Sequence, residues 1–171
     1  PGSPAATLQR CNQGPCSIQE EADIHHWANN HIHPYESHFT LALLAKRRAG
    51  MGEKGQLERA VHYVTLANGI ETTPEALTLD GNLAYLTALN SCPMGDRDPS
   101  PEQRPEIERR LREAVALWKS AYDIDPSALA PLYNSQAVLR QLGDDEVADP
   151  ILSLALKRNT MAVTHWTRDV A

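Results

Sequence analysis

Ala114, Trp118 and Ala121 stand at offsets of four and seven, and Pro126 follows at twelve. Ala148, Leu152 and Ala155 repeat the same small–large–small spacing 34 residues later. With about 3.6 residues per turn, offsets of four and seven share one face of an α-helix. Recurrence at a fixed interval predicts helical units that stack. Ala60, Val64 and Ala67 show the offsets again upstream, with Pro74 slightly displaced from the place of Pro126.

Helix signals punctuate the rest of the chain. Ser17-Ile18-Gln19-Glu20 reads as a capping box, in which Ser17 and Glu20 satisfy each other's backbone N–H groups. It predicts a helix to about Asn30, ended before Pro34. A second helix is expected from Tyr35 to Ala49, with Phe39, Leu41, Leu43 and Leu44 as core candidates and Gly50, Gly52 and Gly55 in the turn. A third runs from Leu57 to Asn68, closed by Asn68-Gly69. Thr73-Pro74-Glu75 opens a fourth, which carries Ala76, Leu79, Leu83, Leu86 and Leu89. Residues 90–105 contain Pro93, Pro99, Pro101 and Pro105 and read as a long loop. Helices are then expected over Glu106–Ile124, from Ser127 to Leu142 and from Asp145 to Asn159, with a last one from Met161. Residues 1–16 lack periodicity and read as an irregular arm ahead of a helical domain at 17–171.

The recurring offsets and the 34-residue interval make the chain resemble the tetratricopeptide repeat family. Asn82-Leu83-Ala84, with Tyr85 adjacent, is similar to the family's Asn-Leu-small segment. Asn134-Ser135-Gln136 takes the equivalent place without the Leu, and Leu142-Gly143-Asp144 matches the family's turn between helices. The resemblance implies an all-α, right-handed α-solenoid of about three hairpins. The units fall at about 36–73, 75–126 (with the 90–105 loop inside it) and 129–160, with capping helices at about 17–30 and 161–171. It also implies a concave groove lined by the first helix of each pair. Mapped onto this sequence, the partner-binding candidates are Lys46, Arg47, Asn82, Tyr85, Tyr133, Asn134 and Arg140. Asn and basic side chains in such a groove clamp an extended peptide through its amides or a carboxylate. The plainer alternative makes them solvated helix faces, with Asn serving helix packing.

The charge balance narrows the partner. Net charge is −6 with both signs interspersed, whereas a nucleic-acid binder needs a basic face to replace counterions. The expected partner is a protein or peptide. No run approaches the ~20 apolar residues of a membrane span, and no signal peptide is visible. The opening Pro1-Gly2-Ser3 and the stop at Ala171 inside a helical pattern read as the ends of a piece of a longer protein.

Cys11 and Cys16 flank Asn12-Gln13-Gly14-Pro15, a turn-forming loop short enough to bring two sulfurs within bonding range. They read as a disulfide of an oxidising compartment or as two free thiols; Cys92 is left over. His25, His26, His31, His33 and His38 crowd together, and His31, His33 and His38, with Glu36, are candidate metal ligands, although no known ligand spacing is present. No cofactor is expected. There is no phosphate-binding Gly-rich loop and no Gly-x-Ser-x-Gly elbow, so no catalytic residue is assigned. Three functions follow as expectations: a non-catalytic scaffold that binds a peptide or protein in its groove, an extracytoplasmic accessory domain of a bacterial envelope enzyme, and a histidine-cluster metal-binding domain.

Overall fold

The computed structural model describes residues 2–91 and 99–170, with side chains as far as residue 157. Among these residues the chain is all-α, with eight helices: α1 Pro4–Gln13, α2 Ile18–Asn29, α3 Pro34–Gly50, α4 Gln56–Ile70, α5 Pro74–Asn90, α6 Arg104–Ile124, α7 Leu129–Gln141 and α8 Asp145–Val170. Two compact units share them, Pro1–Leu83 and Ala84–Ala171, and α5 carries the chain from one to the other. Neighbouring helices pack as hairpins within each unit. No helix among the described residues is long and apolar enough to cross a membrane.

In the first unit α3 and α4 form the longest hairpin contact. Gly52 (φ +86) and Gly55 (φ +74) turn the chain between them in the left-handed region, where a Cβ costs energy. The core joins Leu8 and Cys11 of α1, Ile24 and Ala28 of α2, and Leu41 and Leu44 of α3, with Trp27 and Tyr63 packed alongside. α1 itself corrects the expectation of an irregular arm. Ser3 accepts from the Ala6 N–H, Pro4 sits in the first turn, and Leu8 and Cys11 are buried. The Pro/Ser composition that reads as loop is here a helix start, and two apolar residues one turn apart suffice to dock it. The capping box at Ser17 and Glu20 forms as expected, with N–H donations of 2.8 and 3.2 Å. Arg48 of α3 forks onto the Glu21 carboxylate of α2.

The second unit places Ala88 of α5, Ile107, Leu111, Ala114 and Trp118 of α6, and Val138 of α7 in one core. Ala60, Val64 and Ala67 in the first unit, and Ala114, Ala121, Ala148 and Ala155 in the second, are fully buried, and Trp118 is 2% exposed. The recurring offsets therefore mark the buried face of three helices, α4, α6 and α8. Leu152 is only half-buried, and Leu89 of α5 is 45% exposed. Two boundaries also differ from expectation. α4 runs through Asn68-Gly69 to Ile70, because the Asn68 side chain donates to Asp80 at 3.1 Å instead of ending the helix. α8 is continuous to Val170, so no separate capping helix begins at Met161; the sequence from Leu156 to Ala162 holds no Gly or Pro to stop a helix. Cys92 and the rest of residues 92–98, within the expected 90–105 loop, lie outside the described residues.

Candidate functional site

Two places concentrate chemistry, one in each unit. The first is the junction of α1 and α2. Cys11 ends the buried face of α1, and Cys16 immediately precedes Ser17, the N-cap of α2. The two form a disulfide with Cα atoms 5.0 Å apart, so the bonded alternative is the one realised. Cys11 is 0% exposed and Cys16 half-buried. Arg10 gathers the junction. Its guanidinium donates to the Pro15 carbonyl at 2.7 Å, lies 3.5 Å from the Cys11 sulfur and pairs with the Glu20 carboxylate. The Ser17 N–H, the Ser17 hydroxyl and Arg10 together hold that carboxyl below its ordinary range.

Cys11, Cys16 and Glu20 form the one group of three potential metal-ligating residues among those described, their donor atoms within 4.8 Å of one another. Two thiolates and a carboxylate suit a zinc-like ion, and they become ligands only after the disulfide is reduced. The histidines do not converge in this way. His31 and His33 are exposed in a left-handed turn (φ 55 and 44), and His38 donates Nδ1–H to the Pro34 carbonyl at 2.7 Å. His25 leans instead on the Tyr63 ring at 5.9 Å, and burial, only partly opposed by Glu21, lowers its pKa.

The seven groove candidates divide between the units, and three of them serve the fold. Arg47 donates to the carbonyls of Cys11 (2.7 Å), Gly14 (2.9 Å) and Asn12, which are the last acceptors of α1 and its exit. Tyr85 packs on Trp118 at 6.1 Å. Arg140 ties α7 to α8 through Asp145 and Asp149. Lys46, Asn82, Tyr133 and Asn134 are half-buried on α3, α5 and α7. Asp125 accepts from the Ser127 N–H and hydroxyl, a turn function.

The second place is a cleft of about 390 Å³ between α6, α7 and α8. Its walls are apolar, with Val115, Leu139, Ile151 and Leu154 among them, and α6 adds Lys119 and Asp123 one turn apart. Val147, 56% exposed, lines it. Arg10 and the cleft residues escaped the sequence reading, and Glu20 was read only as a capping residue. Arg10 stands next to Cys11 in sequence, which was the available signal; the cleft depends on the spacing of three helices, which no local pattern encodes.

No known protein family, curated protein or solved structure gives a match to this chain.

Proposed function

We propose that this chain is a non-catalytic binding domain, a tetratricopeptide-like right-handed solenoid, that holds a short apolar segment of a protein partner. The observation that carries the reading is the apolar cleft of the second unit, with a cation and an anion one turn apart on α6. A cleft of this size takes two or three apolar side chains. The Lys119 and Asp123 pair offers both a donor charge and an acceptor charge, which suits a peptide with its alternating N–H and C=O groups. Tyr133 and Asn134, on α7 of the same unit, are the candidates for additional contacts. The Cys11–Cys16 bridge supports an extracytoplasmic setting, as for an envelope-associated accessory domain.

A random peptide library displayed on phage tests this directly. Peptides enriched on the wild type should carry apolar anchors and lose binding to Val147→Lys and Ile151→Lys, both verified as folded by circular dichroism. Loss only with Tyr133→Ala and Asn134→Ala would move the site to the α7 face. Enrichment without apolar anchors, or equal binding to all variants, overturns the reading.

A second reading rests on Cys11, Cys16 and Glu20 as ligands of a metal in the reduced protein. Cobalt(II) added to reduced protein should then give thiolate-to-metal absorption in the near ultraviolet, abolished by Cys16→Ser. No such absorption at stoichiometric cobalt ends this reading.

A further inference from the structure

The two bridged sulfurs are unequal in access and in surroundings. Cys11 is sealed, 0% exposed, among Leu8, Ile24, Leu41 and Leu44, while Cys16 lies at the edge of that cluster and is half-buried. Thiol–disulfide exchange requires a thiolate to approach one sulfur in line with the S–S bond while the other leaves. Of the two residues only Cys16 is reached by solvent, which makes its sulfur the one to be approached. The departing sulfur is then Cys11, and the Arg10 guanidinium already lies 3.5 Å from it. A cation beside a thiolate stabilises it and makes it a better leaving group.

We propose that Cys16 is a thiol-exchange site at which a small-molecule thiol forms a mixed disulfide, with Cys11 leaving as a thiolate held by Arg10. The incoming thiolate RS⁻ bonds to the Cys16 sulfur. The Cys11–Cys16 bond breaks, and its electron pair stays on the Cys11 sulfur. A second RS⁻ then attacks the R sulfur of the adduct, releasing RSSR and the Cys16 thiolate, so two thiols are oxidised for each bridge reduced. The loop does not need the bond to stay closed. Arg10 holds the Pro15 carbonyl, Arg47 holds those of Cys11, Asn12 and Gly14, and Thr40 donates to the Asn12 side chain at 2.6 Å. The Cys11 thiolate therefore remains beside Cys16: from the mixed disulfide it attacks the Cys16 sulfur and expels RS⁻, and from the dithiol the bridge is restored by the reverse of both steps, with RSSR as the oxidant. The site is a reversible one, separate from the cleft and independent of the partner proposed for it.

The test treats the oxidised chain with glutathione in the presence of a chelator, quenches with N-ethylmaleimide and maps tryptic peptides by mass spectrometry. Both sulfurs fall on the peptide from Cys11 to Lys46, and fragmentation before Pro15 separates them; Cys92 lies on another peptide. Glutathione should be found on Cys16 and maleimide on Cys11, at roughly tenfold excess over the reverse pattern. Arg10→Gln should slow the exchange roughly threefold, the effect of about one pKa unit in the leaving thiol. Glutathione on Cys11 or divided evenly, an unchanged rate in Arg10→Gln, or a bridge that reacts only after denaturation would each overturn the proposal.

Discussion

Arg47 satisfies three carbonyls at the exit of α1 with one guanidinium. Hydrogen bonds to a charged donor are worth more than neutral ones, so Arg47→Ala should cost about 2 kcal/mol. It should also release α1, read as lost hydrogen-exchange protection at residues 4–13 in parallel with a lower urea midpoint. Arg47→Lys should recover little, because an ammonium cannot span the three acceptors. His25 supplies the pH dependence. Its folded pKa lies below the ordinary histidine value, chiefly through burial, with Glu21, Arg48, Arg59 and Tyr63 facing it. The unfolded chain therefore binds the proton more readily. The contribution is complete above the unfolded pKa, near pH 6.5, and is lost as pH falls from there through the folded pKa. The melting temperature should drop between pH 8 and 5, and His25→Phe, which keeps the ring contact, should flatten that drop. Neither role was legible in the sequence. Arg47 reads equally well as a groove residue, and the histidines read as a cluster, because side-chain partners distant in sequence decide both cases.

At the scale of the helices, sequence signals were far more telling. At Ser17, Pro74 and Gly143 the boundary falls where the cap or turn residue puts it, whereas Ser127, expected to open α7, is held by Asp125 and the helix starts at Leu129. Boundaries failed at α1, α4 and α8, where the deciding factor is a tertiary contact or the absence of any breaker. Two glycines separate conformation from packing. A Cβ would meet nothing within 4 Å at either Gly69 or Gly143, but Gly143 has φ +80 and Gly69 lies in helical backbone. Gly69→Ala should raise stability by about 0.5–1 kcal/mol, since alanine loses less entropy in a helix. Gly143→Ala should lower it by about 1–2 kcal/mol through the left-handed backbone alone. Paired thermal melts of the two variants check both signs.

Among the described residues, one buried cluster of the first unit is built around Ile24 and Leu41, and one of the second around Trp118. Trp118→Ala removes the largest side chain of the second and should cost about 3–5 kcal/mol. Hydrogen exchange should accelerate first in α6 and α7, while Leu41→Ala should act first on α2 and α3; uniform acceleration from either variant would show one cooperative body instead of two. The fully buried alanines of α4, α6 and α8 carry a further consequence. Where helix backbones meet over a methyl group, almost any larger side chain is refused, and the outer faces accept almost anything polar. A fold specified this way writes its constraints in the commonest letter of helical sequences. Its signature is therefore low in information, and two such chains can share an architecture while their sequences have drifted beyond mutual recognition.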